Sequence, residues 1–318
     1  MSEPFESDQS GLGRSLRPRA LALRMDTNNT CNLQCIYCRI NDHLAPIEYM
    51  TRAEFHRVAE LFFRNCYYVS LSCATEPLMT PDFKDFVETL STYEVPETHF
   101  ITNGQLLTED IIRTSVTSQI HSVTLSIDGA TRETYKSIRG ADLDRLITWL
   151  GVFDRIKKEC GSRLPLVRVQ YTFFRHNAWE IIPFMEQHHR YVQEINYTQL
   201  SPLDHYGHPL LERISYDEYR DIKARVLESA ERFHLGCKVS FNQFSERGPV
   251  SRSCRIPLSY RFVRHNGDLV MCDKQVYGNV LNEDMAVINH RIGSAFSREN
   301  EHCAFHCSQP PSKLQEAP

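Results

Sequence analysis

No apolar run in this chain approaches the roughly 20 residues that a helix needs to cross a bilayer, so a spanning helix is excluded. A basic excess is lacking as well. Lysines and arginines number 36 against 40 aspartates and glutamates, a formal net charge of −4 that leaves no electrostatic footprint for nucleic acid. The opening MSEPFESDQSGLGRSLRPRALAL places acids early and has no apolar core ahead of a cleavage site, so it is not a secretory signal. Internal repeats and low-complexity stretches are absent. Without a signal, the 11 cysteines point to a reducing, cytoplasmic setting, where thiols bind metal more often than they pair.

What is present is the composition of a globular chain: 318 residues, 41% hydrophobic and 24% charged, enough for one large domain with an appendage. Residues 1–18 and 309–318, rich in Ser, Pro and Gly, read as disordered tails. Over residues 19–236, candidate strands alternate with helices. The strands are Leu21–Met25, Tyr67–Ser72, Thr98–Thr102, Ser122–Ile127, Val167–Phe173 and Glu194–Leu200. Thr51-Arg52-Ala53-Glu54 is a capping box opening a helix to about Asn65. Thr80 and Pro81 place a cap and a first-turn proline ahead of Phe83, Phe86, Val87 and Leu90. Further helices cover Leu143–Lys158, Trp179–Tyr191 and Tyr216–Phe233. Such units in succession predict an α/β fold with a parallel sheet, whose ligands gather at the C-terminal ends of the strands. After Cys237 the pattern changes, and Asn266-Gly267 between Tyr260–Val263 and Leu269–Met271 is a hairpin signal. A second domain is expected over 237–308.

The run Cys31-Asn32-Leu33-Gln34-Cys35-Ile36-Tyr37-Cys38 supplies three thiolates at C-x3-C-x2-C spacing. That is one fewer than a closed tetrahedral zinc site or a fully ligated iron–sulfur cube needs. Three incidental cysteines, or a zinc site completed by a histidine such as His43, are the plain alternatives. With its Asn28-Asn29-Thr30 lead-in and Tyr37 ahead of the last cysteine, the segment resembles the radical S-adenosylmethionine (SAM) superfamily. The resemblance implies a partial (β/α)6 TIM-like barrel. It also implies a [4Fe-4S] cluster on Cys31, Cys35 and Cys38 whose open iron takes the amino and carboxylate groups of SAM. In the family, reductive cleavage of SAM yields a 5′-deoxyadenosyl radical that abstracts a hydrogen atom from the substrate. The electron would come from a low-potential donor such as flavodoxin or ferredoxin.

Later segments extend the resemblance. Ser72-Cys73-Ala74-Thr75-Glu76-Pro77 lacks the paired glycines of the family's Gly-Gly-Glu-Pro segment but keeps Glu76-Pro77 at a strand end. Glu76 is expected to meet the SAM amino group, since an ammonium wants a carboxylate with carbonyls around it. Ile101-Thr102-Asn103-Gly104 resembles the SAM-binding rim, with Asn103 as the contact. Ser126-Ile127-Asp128-Gly129 followed by Ile138-Arg139-Gly140 matches a stretch in which Ser126 and Arg139 approach the SAM carboxylate, which a planar guanidinium fork suits. Tyr37 completes the expected SAM-binding set. A solvated Glu76, and Ser126 or Arg139 on a surface loop, are the structural readings of the same residues. Arg168, Gln170 and Thr172 alternate along the fifth strand as a barrel-lining row would.

Near the C-terminus, Cys254-x12-Gly267-x4-Cys272 and Cys303-x3-Cys307 provide four more thiolates, enough to close a cube. This pattern resembles the SPASM/Twitch auxiliary-cluster domain in its shorter form, with one fully ligated [4Fe-4S] cluster. A zinc site on the same cysteines, or with His302 or His306, fits the same donors. Asp273, beside Cys272, is a candidate base for deprotonating a substrate, with backbone hydrogen bonding as its other use. Cys237 and Cys73 are candidate thiol hydrogen-atom donors or else small core residues.

The resemblance implies a radical SAM oxidoreductase or epimerase. Only about 20 residues precede the first strand, too few for a leader-peptide-binding domain. The expected substrate is therefore a small polar metabolite of sugar or aminocyclitol type, dehydrogenated or epimerised. A peptide-modifying enzyme is the alternative. A non-catalytic iron–sulfur electron carrier or scaffold is the reading of another class, and it would need neither Glu76-Pro77 nor the 126–140 stretch.

Overall fold

Leu21–Met25 forms β1, which buries Leu23 and Met25 completely and leads directly into the three-cysteine segment. The computed structural model describes residues 19–38, 46–72, 74–200, 208–233, 236–242, 259–271 and 275–296. Within it, β1 is an inner strand of a ten-stranded sheet. On one side follow β2 (Cys66–Ser70), β3 (Glu97–Thr102), β4 (Ser122–Ser126), β5 (Leu166–Phe173), β6 (Glu194–Gln199) and β7 (Lys238–Asn242), in chain order. Every neighbouring pair from β1 to β7 is parallel.

The crossovers carry α1 (Arg52–Phe62), α2 (Phe83–Thr92), α3 (Glu109–Thr117), α4 (Arg132–Arg139) with α5 (Leu143–Glu159), α6 (Ile181–His188) and α7 (Tyr216–Arg232). This is the partial (β/α) barrel that the alternation of elements predicts. Among the described residues, no helix is long and apolar enough to cross a membrane.

The barrel has two different faces because the strands alternate strictly. In β5, Val167, Val169, Tyr171 and Phe173 have no exposure, whereas Arg168, Gln170 and Thr172 between them are half-buried. Tyr171 rests on Phe184 of α6 and Phe173 on Tyr219 of α7, with ring centroids 5.8 and 6.0 Å apart. The apolar set therefore faces the helices, and the polar set faces the barrel interior. On the helical side, Phe55 of α1 stacks on Phe86 of α2 at 4.0 Å between centroids.

The Thr51–Glu54 capping box is present: Glu54 N–H donates to Thr51 Oγ1 at 3.3 Å and Thr51 N–H to Glu54 Oε2 at 2.8 Å. The next helix starts later than the sequence implies. α2 begins at Phe83, behind a short 3-10 turn over Pro77–Met79. Thr80 is not its cap, because its hydroxyl is taken by Thr27 Oγ1 at 2.7 Å and by Asn28 Nδ2 at 2.9 Å.

The parallel sheet also continues past residue 236, since Lys238–Asn242 pairs with Glu194–Thr198 of β6. On the other flank of β1, β8 (Tyr260–Val263) adds a further parallel neighbour, and β9 (Asp268–Val270) and β10 (Val276–Asn279) follow antiparallel. α8 (Met285–Phe296) buries Ile288 and Ile292 beside them. The hairpin expected around Asn266-Gly267 is therefore part of the same sheet as the barrel.

Gly267 has φ +85°, and a Cβ there would lie 2.6 Å from Leu281 Cγ and 2.9 Å from Asn279 Oδ1. Both the turn and the close approach require glycine. Gly267→Ala is expected to destabilise the protein by about 1–3 kcal/mol, read as a lower urea midpoint.

Candidate active site

The three-cysteine segment leaves the C-terminal end of β1 and is held there by the loops that follow β2, β3 and β4. Asp26, 5% exposed, accepts the Ala74 N–H at 3.0 Å, the Thr75 N–H at 3.4 Å and the Thr75 hydroxyl at 3.2 Å. Asn28 donates to the Glu76 carbonyl at 2.8 Å, and Glu76 N–H donates to the Thr30 carbonyl at 3.0 Å. The cysteine lead-in and the Glu76-Pro77 segment are thus one unit.

Cys31 Sγ accepts N–H groups from Leu33 at 3.4 Å and from Asn103 Nδ2 at 3.6 Å. Cys35 Sγ faces Arg139 Nη1 at 3.8 Å. Cys38 closes a tight turn, its N–H donating to the Cys35 carbonyl at 3.0 Å. Burial raises the Cys31 thiol above its ordinary range and pushes Cys35 up to about 11, the latter against the pull of Arg139. Such thiols lose their protons when they ligate metal.

Among the described residues, no three His, Cys, Asp or Glu side chains converge tightly enough to hold one bare ion. A four-iron cube spreads its thiolates farther apart and is tuned by N–H donors to sulfur, which Leu33, Asn103 and Arg139 provide. The donor set fits a cluster.

Glu76 is 2% exposed. Its Oε1 accepts the Thr102 hydroxyl at 2.6 Å and the Leu78 N–H at 3.2 Å, and its Oε2 accepts the Asn103 N–H at 2.7 Å. Burial outweighs these donors and pushes its carboxyl up to about 7. An ammonium placed beside it would restore the charge.

Arg139 ends α4, just before Gly140 in the left-handed region at φ +67°. Its Nε donates to Asp128 Oδ2 at 2.6 Å and its Nη2 to the Tyr37 hydroxyl at 2.7 Å, and Tyr37 donates to the same Asp128 oxygen at 2.6 Å. Neither a surface Arg139 nor a solvated Glu76 survives these contacts. Ser126 stands half-buried at the end of β4, paired in register with Gln170.

Three residues that sequence reasoning left without a role organise this site: Asp26, Asp128 and Glu180. Asp128, with no exposure, also accepts the Thr172 N–H at 2.7 Å. Glu180, equally buried, accepts the N–H groups of Ala130 and Thr131 and the hydroxyls of Thr131 at 2.7 Å and Thr134 at 2.6 Å. It thereby fixes the start of α4. A Cβ on Gly129 would lie 3.2 Å from Glu180 Oε2 and 3.0 Å from the Tyr135 nitrogen, which accounts for the glycine after Asp128.

Cys237 requires a correction. It precedes β7, whose first residue pairs with Glu194 at the start of β6, so it sits at the N-terminal end of the barrel, opposite the cysteine loop. It belongs to the apolar core, and burial raises its thiol. Cys254, Cys272, Cys303 and Cys307, with Asp273 and Cys73, lie outside the described residues.

The inner face of β5–β7 carries a polar ladder. Glu194 pairs with Arg168 at 3.4 Å and Lys238 at 3.2 Å near the N-terminal end. Above it, Ser240 donates to Asn196 Oδ1 at 3.2 Å, Asn196 to Gln170 Oε1 at 2.7 Å, and Gln170 to Thr198 Oγ1 at 2.8 Å.

Residues 25–169 match the model of the Radical SAM superfamily. Those residues are therefore a radical SAM domain, and that family implies SAM and a [4Fe-4S] cluster. It is similar to the probable GTP 3′,8-cyclase of Methanocaldococcus jannaschii, 27% identical over 176 residues that cover 55% of each chain. It is also similar to the mycofactocin maturase MftC of Mycobacterium tuberculosis, 26% identical over 187 residues covering 57% of this chain and 45% of the relative. The chain thus spans about half the length of these curated relatives. In fold it resembles Streptococcus suis SuiB bound to precursor peptide SuiA, with a TM-score of 0.69 at 15% identity, covering 90% of this chain and 69% of that one.

Because the Glu76 carboxyl is raised in the folded state, the native protein binds more protons than the unfolded chain between about 4.5 and about 7. Stability of the cofactor-free protein should then fall as pH rises through that window and level off above it, by up to ~3 kcal/mol. Urea midpoints measured from pH 4.5 to 8 should show this slope, and Glu76→Gln should flatten it.

Proposed function

We propose that this protein is a cytosolic radical SAM enzyme that abstracts a hydrogen atom from a peptide or protein substrate. Flavodoxin or ferredoxin would be its electron donor. The observation that carries this reading is the convergence of Cys31, Cys35 and Cys38 with Glu76, Asn103 and Arg139 at the C-terminal ends of the strands. When bound, a [4Fe-4S] cluster with one iron free of protein thiolate supplies the electron that splits SAM into methionine and a 5′-deoxyadenosyl radical.

The residues divide the work. Glu76 offers the ammonium a buried carboxylate held rigid by three donors. Arg139 uses three of its five N–H groups on Asp128, Tyr37 and Cys35, which leaves two for the SAM carboxylate. Ser126 adds a hydroxyl on the same rim, and Asn103 joins Cys31 to the Glu76 side of the site. Tyr37, edge-on to Phe174 at 6.5 Å, closes the wall beside the cysteines.

On the substrate, the comparisons favour the peptide reading over the sugar or aminocyclitol one. Among the relatives, MftC is a maturase and SuiB holds a precursor peptide. The Gln170–Asn196–Ser240 row supports it from within, since carboxamides and hydroxyls on the inner wall match the groups of a peptide backbone. The similarity to a GTP 3′,8-cyclase supports a second reading, a nucleotide-sized metabolite.

We further assign Cys254, Cys272, Cys303 and Cys307 to a second, fully ligated [4Fe-4S] cluster in a SPASM/Twitch-type segment, with Asp273 as the base beside it. Full ligation suits electron acceptance and hence dehydrogenation. An epimerase would need a thiol other than Cys237, which lies at the far end of the barrel.

Anaerobically reconstituted, reduced protein should release 5′-deoxyadenosine from SAM, and Cys31→Ala, Cys35→Ala or Cys38→Ala should each lower the rate at least 100-fold. Peptides deuterated along the backbone and side chains should pass deuterium into 5′-deoxyadenosine. Transfer from a nucleotide or sugar, and from no peptide, would overturn the substrate assignment.

A further inference from the structure

Asp128 makes more contacts than a helix-leading turn needs. Both of its carboxylate oxygens are used: Oδ1 accepts the Thr172 N–H of β5 at 2.7 Å, and Oδ2 accepts both Arg139 Nε and the Tyr37 hydroxyl at 2.6 Å. Its carbonyl takes the Asn177 amide at 2.9 Å. Tyr37 and Arg139 are joined to each other at 2.7 Å, so the three side chains form a closed triangle.

The Nη1 arm of Arg139 faces Cys35 Sγ at 3.8 Å. The backbone repeats the link, with Ile36 N–H donating to the Ile138 carbonyl at 3.0 Å. The start of α4 is meanwhile pinned by Glu180, so the helix cannot slide to relax these contacts. Arg139 is 6% exposed and Asp128 has no exposure, which makes the pair nearly neutral and rigid, unlike a mobile surface cation.

We propose that Asp128 and Tyr37 are positioning residues that aim the Arg139 guanidinium at the Cys35 sulfur, and that this N–H···S contact makes the radical cluster easier to reduce. A donor fixed at a ligating sulfur stabilises the added electron density of the reduced cluster, and so raises its potential. The carboxylate cancels the net charge of the arginine, so the effect comes from the oriented N–H group. The proposal rests on the Cys31/Cys35/Cys38 cluster of the function proposed above but is independent of the substrate.

The test is redox titration of the reconstituted full chain, followed by EPR of the reduced protein with and without SAM. The part of the signal that changes on adding SAM reports this cluster separately from an auxiliary one. Its presence in the parent protein upholds the cluster, whatever the variants do. Asp128→Asn with Arg139→Gln removes the pair without leaving a lone charge. At the parent's midpoint, this double variant should show about a tenfold lower ratio of reduced to oxidised cluster, which is 59 mV for one electron. Tyr37→Phe deletes a single oxygen, keeps the ion pair and should move the ratio in the same direction by less. It decides the matter if the double variant does not load iron. Arg139→Lys, with the charge but not the fork, should fall between. Midpoints equal to the parent's in the loaded variants would overturn the proposal, whether or not the Arg139 variants still respond to SAM.

Discussion

Buried carboxylates accepting backbone N–H groups are the constraint on which this site depends. The residues that would meet the cofactors sit on loops at the C-terminal ends of parallel strands, and a loop drawn into the protein leaves amide groups to be satisfied. Asp26, at the end of β1, takes Ala74 and Thr75 of the loop after β2. Glu76, in that loop, takes Asn103 after β3. Asp128, after β4, takes Thr172 of β5, and Glu180, after β5, takes Ala130 and Thr131 after β4. Each acid ties its own loop to a neighbour, so the rim is stitched from strand to strand around the cysteine segment. A charged acceptor makes stronger hydrogen bonds than a neutral one, and removing one strands several donors at once.

This stitching explains the departure from the family's paired glycines. Glycine permits a close or left-handed backbone. Here the corresponding loop carries Ala74 and Thr75, and Asp26 grips their N–H groups directly, with the Thr75 hydroxyl as a third point. A side-chain acceptor from β1 thus orders the loop at this position. The same bond ties the lead-in of the cysteine run to the Glu76 segment.

Much of the fold was legible because its signals are local. Strand alternation placed β1 through β6 within a residue or two, and the Thr51 capping box marked the start of α1. Arg168, Gln170 and Thr172 face inward, as their alternation with apolar residues implies. What was not legible is long-range. Thr80 reads as a helix cap, but Thr27 and Asn28, more than 50 residues away in sequence, claim its hydroxyl. The acids Asp26, Asp128 and Glu180 look no different in sequence from solvated ones, since the backbone N–H groups they accept lie 44 to 50 positions away. Cys237 lies away from the site for a directional reason: a residue just before a parallel strand is at the end opposite the ligands.

The polarity of the inner wall bears on what can occupy it. Near the N-terminal end of the barrel, Arg168 and Lys238 share the one carboxylate of Glu194, so two cations meet one anion and the cluster keeps a positive charge. Nearer the cysteines, the wall turns to uncharged amides and hydroxyls that already bond to each other in a row. Each carboxamide in that row retains a second N–H, and its oxygen a second lone pair, so the row offers both donors and acceptors. A peptide backbone, with one carbonyl and one N–H at each residue, would complement both. The row of Gln170, Asn196, Thr198 and Ser240 carries no charge of its own, which suits an uncharged backbone better than an ionic group and agrees with the peptide reading proposed above.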